Sequence, residues 1–111
     1  MITLNGRTIS ITQHNSGTIS FDFTDTDGVN VSLIGYKVTF MVKHKKSDDD
    51  STAIITKTYQ DIITNICTVQ LLPEDTDHAV DFYYWSILLE KGTYRNEALS
   101  GAFYIIEGVH D

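Results

Sequence analysis

An apolar residue at every second position is the feature that most constrains this chain. The segment 18–24 sets Ile19, Phe21 and Phe23 against Ser20 and Asp22. Segment 36–44 sets Tyr36, Val38, Phe40 and Val42 against Lys37, Thr39, Met41 and Lys43. The same beat returns in 66–72 (Cys67, Val69, Leu71) and in 82–90 (Tyr83, Trp85, Ile87, Leu89). Successive side chains of a strand point to opposite faces, so this rhythm fits half-buried extended backbone. No helical period is sustained for three turns. With 13 Ile, 7 Val and 14 Thr, about three residues in ten are β-branched, and their stiff side chains favour pleated backbone.

Three further strands complete the expected set. They are 8–13, with Ile9 and Ile11 on one face; 53–59, whose inward parity is left open; and 99–106, with Gly101, Phe103 and Ile105 inward. A short extended piece over 29–33 leads to Gly35. Turn chemistry separates the strands: Asp25-Thr26-Asp27-Gly28, the polar run 45–51, Pro73-Glu74-Asp75-Thr76-Asp77 and Lys91-Gly92. Seven short strands at roughly ten-residue spacing, with no helix long enough for a βαβ crossover, predict an all-β fold. The expected architecture is an immunoglobulin-like β-sandwich of about seven antiparallel strands. The 111 residues fit one domain, 1–111, with no linker or repeat. The segment 77–83 has the make-up of a tyrosine corner, at a longer spacing than in antibody domains and with no cysteine after it.

Charge narrows the function classes. The net charge is -7, and residues 61–111 carry nine acids against two bases, while residues 1–60 balance six against six. Nucleic acid needs clustered cations, so none is expected as a partner. The start, Met1 to Arg7, lacks a positive segment followed by an apolar one, so no signal peptide is expected. The longest apolar run, 102–106, is far too short to cross a bilayer, so no membrane partner is expected. One cysteine, Cys67, allows no internal disulfide and fits a reducing compartment.

Chemistry-bearing constellations are sparse. His14, His44, His78 and His110 sit apart and next to turns, whereas a zinc site needs at least two closely spaced ligands. Asp25-x-Asp27-Gly28 opens like a calcium loop, but its sixth and twelfth positions hold Asn30 and Tyr36 instead of Gly and Glu. Asp48-Asp49-Asp50 reads as a solvated loop. No Gly-x-Ser-x-Gly elbow exposes a serine, and Cys67 lies on an inward face where a thiol is a poor nucleophile. The carboxylates Glu74, Asp75 and Asp77 sit in a turn rather than a cleft. No catalytic residue, metal or cofactor is expected.

One surface stands out. If the strands containing Phe40, Trp85 and Phe103 share a sheet, its outward face shows Met41, Phe82, Tyr84, Leu88, Ala102, Tyr104 and Ile106. A solvent-facing sheet should be mostly polar, and a large apolar patch marks an interface. Met41, Phe82, Tyr84, Leu88, Tyr104 and Ile106 are therefore the candidate interaction surface. A β-bulge that shifts one strand, or a terminus folded across the sheet, would account for the pattern without a partner.

Read in order along nearly the whole chain, several segments resemble one family. These are Thr18-Ile19-Ser20-Phe21 before the acidic turn; Leu33-Ile34-Gly35-Tyr36-Lys37-Val38-Thr39-Phe40-Met41-Val42-Lys43; Val69-Gln70-Leu71-Leu72-Pro73-Glu74-Asp75-Thr76; Tyr83-Tyr84-Trp85-Ser86-Ile87-Leu88-Leu89; and Leu99-Ser100-Gly101-Ala102-Phe103-Tyr104-Ile105. The chain is similar to small immunoglobulin-like proteins and domains of tailed phages and prophages, such as the N-terminal domain of the baseplate upper protein family. Asn65 stands where relatives carry Gly, a position where Asn tolerates a left-handed backbone. The resemblance implies a non-catalytic virion component of tail or baseplate, made in the host cytoplasm. Its implied partners are other virion proteins or further copies of itself in a homo-oligomer. The alternative is a carbohydrate-binding or adhesion module, which needs Trp85 at the surface to stack on sugar rings.

Overall fold

The computed structural model describes residues 2–5, 8–24 and 27–108. Among these residues eight strands form in chain order: β1 (Ile2–Asn5), β2 (Thr8–Thr12), β3 (Gly17–Asp22), β4 (Lys37–Lys43), β5 (Ile55–Tyr59), β6 (Ile66–Leu71), β7 (Asp81–Lys91) and β8 (Tyr94–Ile106). A 3-10 turn, Asp50–Thr52, lies between β4 and β5. The fold is all-β, as the alternation predicts. The strands make a six-stranded sheet, β1-β2-β8-β7-β4-β5, and a two-stranded sheet, β3-β6.

The register explains why the beat is so regular. Val38, Phe40 and Val42 of β4 lie opposite Leu89, Ile87 and Trp85 of β7, and Trp85 and Tyr83 lie opposite Gly101 and Phe103 of β8. All these β4 and β7 side chains, and Phe103, are buried. Ile19 and Phe21 of β3 pair with Val69 and Cys67 of β6 and cover this surface from the other side. At the centre the Trp85 ring sits 5.2 Å from Phe21 and 6.2 Å from Phe40, and Phe40 meets Phe103 edge-on at 6.5 Å. Offset and edge-on ring pairs at these distances add to the gain from burial.

Several expectations need correction. The pairs are not all antiparallel: β2 runs parallel to β8, with Ile9 opposite Phe103 and Ile11 opposite Ile105. The described residues hold eight strands rather than seven, because Ile2–Asn5 pairs antiparallel with β2, a strand that alternation does not predict. The last strand begins at Tyr94 instead of Leu99, since Gly92-Thr93 makes a two-residue hairpin loop. Gly92 supplies φ +59 at the first central position of that loop. The strand expected over 53–59 begins at Ile55, which is buried and so settles its parity. Asn65 is not left-handed; in that connection Asp61 carries the positive φ, at 60°. Of the turn Asp25-Thr26-Asp27-Gly28, Asp25 and Thr26 lie outside the described residues, and Gly28 has φ +78.

One end of the molecule is pinned by side chains that bond backbone. The Tyr83 hydroxyl donates to the Ala79 carbonyl at 2.7 Å, which is the tyrosine-corner bond. The buried Thr76 hydroxyl donates to Asn15 O at 2.9 Å, and the Gln13 amide donates to His78 O at 2.8 Å. These bonds tie the β2–β3 turn to the β6–β7 loop. Replacing Tyr83 by Phe keeps the ring and removes the donor, so Y83F should lower stability by about 1–2 kcal/mol in urea unfolding. Phe40→Ala empties the middle of the core and should cost about 3–5 kcal/mol in the same measurement.

Candidate functional site

The outward face of the six-stranded sheet follows from the same register. Phe82 lies opposite Tyr104, Tyr84 opposite Ala102, Ser86 opposite Ser100 and Leu88 opposite Glu97. On the other flank of β7, Lys43 lies opposite Tyr84, Met41 opposite Ser86 and Thr39 opposite Leu88. The six candidate residues therefore share one face but fall into two groups. Phe82, Tyr84, Tyr104 and Ile106 form the first, and Met41 and Leu88 the second, with the Ser86–Ser100 pair between Tyr84 and Leu88.

The first group is a ring cluster. Phe82 meets Tyr84 edge-on at 4.8 Å and Tyr104 edge-on at 5.0 Å. The Lys46 ammonium stands 5.6 Å from the centre of the Tyr84 ring, within cation–π range. Phe82 and Tyr84 are half-buried by these mutual contacts, while Tyr104 keeps 38% and Ile106 keeps 44% of their surface in water. β2 contributes only Ser10 and Thr12 beside Tyr104 and Ile106, so it does not cover them.

The second group is screened by charge. The 3-10 turn packs beside β4, and Asp50 accepts from Lys43 Nζ at 3.0 Å and from Arg95 at 3.1 Å. Lys43 Nζ also donates to Asp48 O at 3.0 Å. These bonds strap the β4–β5 loop over a depression of about 270 Å³ lined by Met41, Ser86, Leu88 and Glu97 together with the strap itself. A smaller one of about 130 Å³ lies next to it, between Lys43, Lys46, Tyr84, Ser86, Glu97 and Ser100. Arg95 reaches the outer face because β8 carries a bulge: Leu99 faces Ile87, Glu97 faces Leu88, and Ala98 is the extra residue. In sequence Asp50 reads as part of a solvated acidic loop, and neither Lys43 nor Arg95 is a candidate site residue. Alternation assigns Lys43 outward, but no local signal brings a loop aspartate and a hairpin arginine to it.

The residues with chemical potential hold the scaffold. Asp75 pairs with Lys57 at 2.8 Å and accepts from the Leu72 N–H at 2.7 Å. Asp77 accepts from His14 Nε2 at 2.8 Å. His44 packs 4.9 Å from the Tyr83 ring, and His78 contributes its carbonyl to Gln13. His110 lies outside the described residues. Among the described residues no three His, Cys, Asp or Glu side chains converge as a metal site. Cys67 is buried, and burial pushes its thiol pKa up. Comparison of the chain with models of protein families, with curated proteins and with solved structures finds no match.

The strap has a pH signature. The Lys43 hydrogen bond holds the Asp50 carboxyl below its ordinary pKa of 3.8; burial opposes this, and the charges of Lys43 and Arg95 add to it. A carboxyl whose pKa falls on folding stabilises the fold above its ordinary pKa and loses that contribution as pH drops through the folded value. Asp50→Asn should therefore be less stable than the wild type near neutral pH, and the gap should close as the pH falls below 3.8 and through the lowered folded value. About 1 M salt should narrow the gap as well, because the Asp50 side chain is half-exposed. Chemical unfolding at stepped pH and salt measures both. In native buffer Cys67 should react with a thiol reagent only as fast as the fold opens, so the rate should rise steeply across the urea transition.

Proposed function

We propose that this chain is a non-catalytic interaction module of a phage or prophage particle, an immunoglobulin-like β-sandwich that docks in a tail or baseplate through the outer face of its large sheet. The observation that carries the reading is the ring cluster of Phe82, Tyr84 and Tyr104, continued by Ile106, on a sheet face that meets water. Polar residues would serve such a face if it stayed in solvent. Docking removes the exposed rings from water, and aromatic residues are the side chains that anchor interfaces most strongly.

The strand order supports the immunoglobulin-like part of the reading. Taking β3, β4, β5, β6, β7 and β8 as strands B, C, C′, E, F and G, the pairs G–F, F–C, C–C′ and B–E all recur. The Tyr83–Ala79 bond stands where a tyrosine corner belongs. The sugar-binding alternative loses its main ring, because Trp85 is 2% exposed and packed between Phe21 and Phe40.

Synthesis in the host cytoplasm and assembly into the virion lead to a direct test. Tailed particles are purified from an induced culture of the strain that carries the gene, and the chain is quantified in them by mass spectrometry. It should be present in fixed proportion to known tail components. The double substitution Tyr84→Ala, Tyr104→Ala should leave unfolding unchanged to within about 1 kcal/mol and leave the chain free in the lysate. A wild-type chain that stays free and is not enriched in particles would sink the reading. Light scattering on the purified protein distinguishes docking on further copies, which the double substitution dissolves, from docking on another protein.

A further inference from the structure

The edges of the sheets are guarded unequally. β6 has its outer edge capped by side chains: Gln70 N–H donates to the Tyr59 hydroxyl at 3.2 Å, Ile66 N–H to Thr64 Oγ1 at 3.2 Å and Leu72 N–H to Asp75 Oδ2 at 2.7 Å. β5 carries Lys57, which is tied down to Asp75. Caps and edge lysines of this kind prevent strand addition. β8 has no side-chain cap over its first half, where the bulge at Ala98 is the edge device among the described residues. β2 pairs with it only from Phe103 to Ile106, so among the described residues nothing continues the ladder beside 94–100. The two-residue hairpin makes Lys91 and Tyr94 the bonded pair, so the N–H and C=O groups of Arg95 and Glu97, and of Ser100 beyond the bulge, point away from β7 towards this open edge.

The open edge borders a cavity. A groove of about 470 Å³ lies between the end of β3, at Asp22 and Phe23, and the inner face of β8. Its lining is mixed: Phe23, Val31, Leu89 and Leu99 alternate with the polar Asp22, Thr24 and Asn96. β7 and β8 span 11 and 13 residues, whereas β3 spans six, so the small sheet does not reach over this end of the large one. β1 approaches β3 without pairing to it.

We propose that this groove receives an extended segment of a partner polypeptide, which adds as a strand to the open edge of β8 at Arg95–Ser100 and drops alternate apolar side chains between the two sheets. Strand addition uses backbone hydrogen bonds for affinity and pockets for alternate side chains for selectivity. Charge sets the character of the segment. Asp22 lines the groove, and Glu97 lies at the same edge of β8 but on the opposite, outer face of the sheet; neither forms an ion pair among the described residues. Arg95 is already engaged by Asp50. The segment is therefore alternating, apolar on one side, and basic at its ends. This site is separate from the ring cluster, so it stands or falls independently of the docking role proposed above.

The test is a titration of the isotope-labelled full chain with a short synthetic peptide that alternates valine and threonine and carries lysine at each end, followed by amide NMR. Amides of Arg95, Glu97 and Ser100 should shift and become slow to exchange, with saturation below about 1 mM. Glu97→Pro removes an edge N–H without touching the ladder to β7 and should abolish binding. Asp22→Lys, on an exposed residue, should weaken it about tenfold, a readout that survives if the proline variant fails to fold. No shift at these amides up to about 1 mM would overturn the proposal. So would shifts centred on Tyr84 and Tyr104 or on β5, or an affinity indifferent to Asp22→Lys.

Discussion

Everything in this molecule depends on one packing constraint: a row of inward side chains on β7, from Tyr83 through Trp85 and Ile87 to Leu89, that must be covered on both flanks and from across the core. β4 and β8 supply the flanks and β3 and β6 the cover, so the Trp85 ring lies between Phe21 and Phe40. Because a strand alternates with a strict period of two, a one-residue slip anywhere in β7 would turn that whole row to water and bring Phe82, Tyr84 and Ser86 inside. The Tyr83 hydroxyl bond to Ala79 sits at the start of the row and fixes its register from the loop side.

The inner half of the structure was legible because it obeys that period. Ile19, Phe21, Phe23, Val38, Phe40, Val42, Cys67, Val69, Leu71, Tyr83, Trp85, Ile87, Leu89, Phe103 and Ile105 are all buried, as their spacing predicts. What escaped the reading depends on long-range pairing. Parallel pairing of β2 with β8 leaves no mark on alternation, since Ile9 and Ile11 face inward whichever way a neighbour runs. The bulge at Ala98 breaks parity where Ala, Leu and Ser offer little contrast, so the strand looked five residues shorter than it is. The left-handed residue falls at Asp61 rather than Asn65 because Asn65 is held in the sheet's continuation, where its carbonyl accepts from Phe23 N–H at 2.9 Å.

The candidate surface was legible as a face but not as a site. Outward parity places Met41 and Leu88 beside the aromatic residues, yet the strap through Asp50 separates them, and that strap joins residues 45 positions apart in sequence. An acidic run such as Asp48-Asp49-Asp50 reads as solvated when taken alone. In the fold Asp48 turns the loop by accepting from Lys45 N–H, and Asp50 holds that loop to the sheet. The bulge at Ala98 and the Asp50 strap both act on the Met41–Leu88 half of the face, the strap being the internal β4–β5 loop rather than a terminus folded across the sheet. Among the described residues the Phe82–Tyr104 half has neither.

The parallel pairing of β2 with β8 has a geometric consequence at the scale of the whole molecule. β1 folds back along β2, so Ile2 lies beside Ile11, which in turn lies beside Ile105. The first and last described strands thus exit at one pole, next to the pinned loops, while the Gly92-Thr93 tip stands at the other pole of a body 41 Å long. A tether attached to either terminus would hold the molecule by its locked base and leave the hairpin arm reaching outward.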